Sequence, residues 1–490
     1  MPKREYGVAQ KVLLQSFKLI TPEFDDDGNV VNYSQSVKHD NQGVYPNFPV
    51  LIDSKGAPWS LGNLYLVSRL YRTPTYNPDT FRNEADGLKM YLRWLEENEV
   101  DPLDFSKFDE MARPTYRYNA SLWNDIHLGR KSLNYASLLM SNVVRFYKGL
   151  ASYGIIEYGT LDLAWTKREF LIRVLGNDAT YRNLAISTTD LNIKTRKNPV
   201  PDGYVADGEA LRPLTTPEEQ TIFSALRKSK RTYYLMFKFA RLTGARIQTV
   251  GTMTYEALES ARFDKIFNRY VLIVGDGRNT VNTKYDKRQV LYFSAVFMRE
   301  LKDHWNSESA VTSRLISYYG DTEKNYLFLT DSGESFYSSK AEILERADDY
   351  YNTNVKAEHR TTQDFKPRKG GAIRTFIQDT LLPRIRINEA DFGHFRFHDL
   401  RATFADSLLS LLINATDRAN KLLVEAGKEP EFTLDKALEE VAERLGHSDI
   451  TTTMRYLDLR RKKKRKALAQ ESFEQELHKY VPGYIMEALQ

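Results

Sequence analysis

Leu445-Gly446-His447-Ser448-Asp449-Ile450-Thr451-Thr452-Thr453-Met454-Arg455-Tyr456-Leu457 sets a histidine directly after a glycine and a tyrosine nine residues beyond that histidine. Taken alone, a histidine after glycine reads as a cap or turn residue, and a tyrosine between a methionine and a leucine reads as core. The picture changes on moving back along the chain. His398-Asp399-Leu400-Arg401 sets an imidazole and a guanidinium three residues apart, hence on one face of a helix, a pairing suited to a phosphate. Farther back an apolar helix over Tyr234 to Leu242 runs into Thr243-Gly244-Ala245-Arg246-Ile247, a glycine turn followed by an arginine. In order, the chain supplies Arg246, His398 with Arg401, His447 and Tyr456.

This ordered set resembles the tyrosine recombinase or phage integrase family, whose catalytic domain carries Arg, Lys, His-x-x-Arg, His and a tyrosine nucleophile. The resemblance starts at about Tyr65 and includes Tyr326-Leu327-Phe328-Leu329-Thr330-Asp331-Ser332-Gly333, similar to the family's strand and turn after a hairpin. It implies a fold that is mainly α with a small antiparallel sheet (α+β), a helical core-binding domain preceding a tyrosine recombinase catalytic domain. It further implies double-stranded DNA as the partner, a homo-oligomer on DNA that is a tetramer in the synaptic complex, an accessory DNA-bending protein, and a C-terminal tail packed on a neighbouring protomer. No cofactor and no metal are expected.

The residue types suit strand transfer on chemical grounds. A phosphodiester attacked by an oxygen gathers negative charge on its non-bridging oxygens, and two forked guanidiniums, Arg246 and Arg401, are able to bind them bidentately. Tyrosine has an ordinary pKa of about 10, so Tyr456 needs a base to take its proton as the bond forms; His398 is the candidate. His447 would donate a hydrogen bond to the phosphate. The leaving sugar oxygen needs a proton, which the family takes from a lysine in the hairpin after the first arginine; Thr283-Lys284-Tyr285-Asp286-Lys287-Arg288 holds that place, with Lys284 first choice and Lys287 in reserve. The expected product is a covalent 3′-phosphotyrosine. Replacing either clamp arginine is expected to slow cleavage with little loss of fold.

Two departures from the family pattern stand out. Thr249 occupies the position three after Arg246, where the family often has an acidic residue, and Arg401 to His447 spans 46 residues, with Ala426-Gly427-Lys428-Glu429-Pro430 reading as a loop inside an insertion. A type IB topoisomerase, which has a lysine where His398 stands and lacks the Leu445-Gly446-His447 context, is the alternative enzyme; a catalytically inactive DNA-binding protein of the same fold is the alternative without chemistry. His394 and His398 have a metal-ligand spacing, but the intervening Phe395, Arg396 and Phe397 do not suit a zinc shell.

Length and composition set the frame. A chain of 490 residues exceeds one ordinary core, and 41% hydrophobic, 28% charged and 12% aromatic residues describe a folded globular protein. Lys and Arg exceed Asp and Glu by only 5, so basic surface has to come from local clusters such as Arg460 to Lys466, seven basic residues in a row just after Tyr456. The absence of cysteine removes disulfides, thiolate nucleophiles and cysteine-ligated metal centres. No signal-like run opens the chain and no stretch approaches about 20 apolar residues, which reads as a cytoplasmic, nucleoid-associated protein without a membrane partner.

Turn signals such as Asp27-Gly28 and Ser54-Lys55-Gly56 suggest an irregular or β-containing extension over 1–64. Leu88, Tyr91, Leu92 and Leu95, then Leu139, Val143, Phe146, Tyr147 and Leu150, form helical stripes and predict a helical DNA-binding domain over 65–193. Pro199 and Pro201 among basic residues mark a linker over 194–204, leaving 205–490 as the catalytic domain with its tail. Thr216, Pro217 and Glu219 predict a capped helix start, and Tyr270–Val274 with Val290–Phe293 predict a hairpin.

Overall fold

The computed structural model describes residues 7–35, 43–73, 76–175, 181–195, 200–349, 365–431, 433–447 and 449–480. Helix dominates, at 52% of the chain, with small antiparallel sheets, an α+β protein of the expected class. The chain divides into two compact units, Met1–Asn198 with Ile343–Phe365, and Pro199–Glu342 with Lys366–Gln490.

The first unit includes four long helices, Ser60–Leu70, Pro78–Glu97, Pro114–His127 and Leu133–Ser152, of which the second and fourth carry the predicted stripes. Asn77 caps the second through its side-chain oxygen, and Pro78 at the first position forfeits an amide that would have no helical partner. Leu88, Tyr91, Leu139, Val143 and Phe146 are buried in one core, and the Tyr91 and Tyr147 hydroxyls meet inside it at 2.7 Å. The strand Val44–Ile52, antiparallel to Gln10–Lys18, adds Tyr45, Phe48 and Leu51 to that same core, so residues before 65 help to build it. A further antiparallel hairpin, Lys167–Leu175 with Tyr181–Thr189, stands where the stripes predicted only helix; the consecutive apolar residues Phe170, Leu171 and Ile172 break the two-residue alternation that marks a strand.

The second unit is built on the helix Arg231–Thr243. It packs against the strand Gln289–Ser294 on one side and the helix Asp399–Glu425 on another. The predicted hairpin is present, with Leu272 opposite Leu291, and Arg262–Asp264 adds a third strand. Its connection is a long loop whose residues Lys284–Asp286 form a 3-10 turn. Tyr326 to Gly333 is not a regular strand; only isolated bridges form there, Thr254 with Tyr326 and Leu329 with Ser335. The capped helix starts one residue earlier than predicted: Thr215 accepts from the Glu218 amide and Glu218 bonds back, a capping box shifted by one. The extra length between Arg401 and His447 is the long helix Asp399–Glu425 and the helix Leu434–Leu445, joined through the loop that the Ala426–Pro430 sequence suggested. The helix Ile450–Tyr480 follows; the last ten residues of the chain lie outside the described residues.

Gly244 ends the Arg231–Thr243 helix with φ of 68°, and a Cβ there would overlap the Phe404 ring and lie 2.9 Å from Leu445. The turn that delivers Arg246 therefore accepts only glycine. Gly244→Ala is expected to lower stability by about 2 kcal/mol, the sum of a left-handed backbone penalty and overpacking, measured by urea denaturation. An unchanged midpoint would mean the turn is not held against Phe404.

Candidate active site

All six residues singled out in the sequence lie in the second unit, and four of them converge on a residue that the sequence did not flag. Asp207 opens the three-residue turn between the two-residue strands Val205–Ala206 and Ala210–Leu211, with its carboxylate 3% exposed. Its Oδ2 accepts from Arg401 Nε at 2.9 Å, from His447 Nε2 at 3.2 Å and from the Tyr456 hydroxyl at 3.2 Å. Its Oδ1 takes an Arg246 Nη2 at 3.4 Å. Residues separated by up to 249 positions thus share one carboxylate.

Local structure explains each placement. Arg246 precedes the short helix Ile247–Gly251, at the mouth of the Gly244 turn. Arg401 sits in the first turn of Asp399–Glu425 and is 1% exposed. Its Nη1 and Nη2 donate to the Gly244 and Leu445 carbonyls, both at 2.8 Å, so one guanidinium ties the ends of two helices to Asp207. Gly446, at φ of 64°, ends the helix Leu434–Leu445 and aims His447 inward. Thr453 then fixes the imidazole, its hydroxyl 2.9 Å from Nδ1. Tyr456, one turn beyond Thr453 on Ile450–Tyr480, is completely buried in a cluster with Phe404, Leu438 and Leu445. Ser448 lies outside the described residues.

The electrostatics follow from burial. The Asp207 carboxyl, although buried, is held far below the usual carboxylate range by His447 and the two guanidiniums. Burial and the Arg401 charge bring Arg246 down to about 10, which leaves it cationic at neutral pH. Burial lowers His447 as well, so a neutral ring donates Nε2–H to Asp207 and accepts the Thr453 hydroxyl at Nδ1. Tyr456 is pushed well above an ordinary phenol by burial and by the Asp207 charge.

The two remaining residues flank this cluster. His398 is the cap residue of its helix, in helical conformation and with its carbonyl accepting the Arg401 amide at 3.0 Å, and its Nδ1 lies 3.2 Å from Glu209 Oε1. Among the described hydrogen bonds none joins His398 to Tyr456, so the expected base–nucleophile contact is not made in this state. Lys284 is half-buried in its 3-10 turn, with Lys287 exposed, and a Cβ placed on Gly208 would lie 3.3 Å from the Lys284 Nζ. Thr249 does not reach Arg246; its hydroxyl donates to the Asn282 carbonyl at 3.1 Å, while Thr252 accepts the Asn282 amide at 2.9 Å. These two bonds lock the segment leading to Lys284 onto the helix that follows Arg246.

Of the basic run, Arg461 to Lys466 are all exposed, with Lys462 and Lys466 paired to Asp202, while the half-buried Arg460 pairs with Asp406. No helix among the described residues is long and apolar enough to cross a membrane.

Neither a family model nor a curated protein sequence matches the chain. Among solved structures it is similar to XerA recombinase, at 14% identity and a TM-score of 0.29 over 84% of this chain and 98% of that one. It is similar to lambda integrase in a dimer bound to a COC′ core site, at 13% identity and a TM-score of 0.40 over 81% and 94%. It is also similar to the Tn1549 transposon integrase in complex with transposon right end DNA, at 14% identity and a TM-score of 0.40 over 83% and 99%. All three are recombinases or integrases by name.

The burial of Arg401 corrects the expectation that replacing it would spare the fold. A lysine keeps the charge but offers one compact ammonium where three separated acceptors need donors. Arg401→Lys is expected to cost about 3 kcal/mol in chemical denaturation, since it leaves Asp207 or a helix-end carbonyl without its partner. A change within experimental error would mean that the buried guanidinium is dispensable to folding.

Proposed function

We propose that the chain is a tyrosine recombinase, a site-specific enzyme that cuts and rejoins DNA through a 3′-phosphotyrosine. The observation that supports this most directly is the convergence of Arg246, Arg401, His447 and the Tyr456 hydroxyl on one buried anion. Two guanidiniums, a neutral imidazole N–H and a nucleophilic oxygen around a single negative group form the donor set that a phosphodiester under attack requires.

In this reading the Tyr456 oxygen attacks the scissile phosphorus as its proton leaves for a base. His398 is the base expected from the sequence and must turn from Glu209 to take that role. The phosphorus–O5′ bond breaks, and Lys284 supplies the proton that makes the sugar a good leaving group. Attack by the 5′-hydroxyl of another strand reverses each step, expels Tyr456 and restores a phosphodiester. The energy of the cut bond stays in the phosphotyrosine, so joining needs no nucleotide. Strand exchange between two DNA sites calls for an oligomer, with a tetramer the working unit, and the exposed part of the basic run after Tyr456 is suited to contact the DNA backbone. Within that class, the integrase or transposase of a mobile element is the biological role put forward.

Tyr456→Phe keeps the ring's packing and removes the nucleophile. It is expected to bind duplex DNA as the wild type does and to yield no covalent adduct on a nicked suicide substrate; an adduct from the Phe variant would falsify the assignment. For the acid, Lys284→Ala is expected to cut an ordinary phosphodiester on the order of 10²-fold more slowly. It should recover on a substrate with sulfur at the 5′-bridging position, because that leaving group needs no proton. Rescue of Lys287→Ala instead, with Lys284→Ala cutting normally, would move the role to Lys287.

A further inference from the structure

All six of these side chains face one three-residue turn. Asp207 takes Arg246, Arg401, His447 and Tyr456, Gly208 lies against Lys284, and Glu209 takes His398 together with Arg396. The flanks of the turn are anchored. Val205 and Leu211 are 2% and 1% exposed in the same apolar cluster as Tyr456, and Arg455 donates to the Ala206 carbonyl at 2.7 Å. Only the turn itself reaches into the site.

Taking Tyr456 as the nucleophile, the consequence is steric. Attack requires the scissile phosphorus within about 3–3.5 Å of the Tyr456 oxygen. The Asp207 oxygen already stands 3.2 Å from that atom, on the donors that the phosphate needs. Both anions cannot be there. The surrounding chain repeats the pattern: from Asp202 to Glu209 there are three acidic residues and no basic one. Asp202 occupies Lys462 and Lys466 of the basic run, as Glu209 occupies His398 and Arg396.

We infer that Asp207 is an intramolecular stand-in for the scissile phosphate, with Asp202 and Glu209 covering neighbouring cationic groups, and that DNA enters by exchanging its phosphate for the Asp207 carboxylate. Carboxylate and phosphodiester each carry one negative charge, so the exchange leaves the site's charge unchanged, whereas an empty site would set Arg246 and Arg401 against each other without a counter-ion. A carboxylate on the same chain competes at high effective concentration, so isolated anions are rejected and a DNA backbone offering several phosphates at once is favoured. Because the anchors hold the flanks, the motion needed is a swing of the turn and its side chains.

The test uses the full chain and inorganic phosphate, read by the shift of the thermal unfolding midpoint. Asp207→Ala frees both the charge and the space, and is expected to bind phosphate at a concentration at least about ten-fold lower than the wild type, because the competent fraction of sites rises. Adding Arg246→Ala should abolish that gain. If Asp207→Ala folds poorly without an anion, Asp207→Ser, which also removes the charge and most of the bulk but keeps a hydroxyl as an acceptor, is titrated in its place. A phosphate response equal to the wild type's in the variant titrated would overturn the inference. On a nicked suicide duplex Asp207→Ala is expected to form its adduct faster than the wild type. A slower adduct despite tighter phosphate binding would overturn the stand-in role and make Asp207 a positioning residue that stays with DNA bound. If neither protein forms an adduct, the recombinase reading fails, and the phosphate titration still decides whether the carboxylate fills the anion site.

Discussion

A carboxylate 3% exposed and a guanidinium 1% exposed are stable inside a protein only as partners, because each alone would bear most of its desolvation penalty. Asp207 and Arg401 form such a pair, and the second unit is arranged around it. Arg401 spends its remaining donors on the carbonyls that end two helices, which sets where Arg246 and His447 leave the backbone. Asp207 gathers those same side chains on its oxygens. The charges that would do the chemistry are therefore also the charges that register the helices. The constraint runs both ways, since the helix ends supply carbonyls that no other donor in the turn satisfies.

That double duty explains what was legible in the sequence. Arg246, His398, Arg401, His447 and Tyr456 stand out because reactive residue types recur in a recognisable order, and glycines at 244 and 446 mark the turns that expose two of them. The helical stripes through Leu88–Leu95 and Leu139–Leu150 are plain because each buries one face of a long helix. Asp207 was invisible for an equally physical reason. An aspartate before a glycine is the ordinary signature of a tight turn, and nothing local distinguishes a solvated turn aspartate from one buried against residues up to 249 positions away. Its pairing is a tertiary fact. The hairpin over 167–189 was missed because the apolar run Phe170-Leu171-Ile172 hides the two-residue alternation that would have marked a strand.

Thr249 shows how a departure from a family pattern is absorbed. The acidic residue expected there would have supported Arg246; its place is taken by a hydroxyl that holds Asn282, and so fixes the approach to Lys284. The negative charge beside Arg246 comes instead from Asp207, on a different element. Charge balance is kept while the source of the charge moves from a helix buried in the core to a turn at its edge. A charge on a core helix is permanent; one on a three-residue turn is exchangeable.

The same exchange bears on the nucleophile. With Asp207 in place, Tyr456 is buried and its hydroxyl donates a hydrogen bond to a carboxylate that would repel the phenolate, so the phenol is held well above its ordinary range and stays protonated. The carboxylate thus blocks the reaction twice, by filling the phosphate's position and by opposing ionisation of the oxygen that must attack. A phosphodiester in its place brings the same single charge, yet its phosphorus is an electrophile, so the charge developing on the tyrosine oxygen is consumed in a bond and passed to non-bridging oxygens that face two guanidiniums. Departure of Glu209 in the same swing would leave His398 without its present partner and free to act as base. One displacement of Asp207-Gly208-Glu209 would therefore admit the substrate, put an electrophilic phosphorus where the blocking carboxylate stood and release the base, so the reactive arrangement forms only when a phosphate is there to receive the attack.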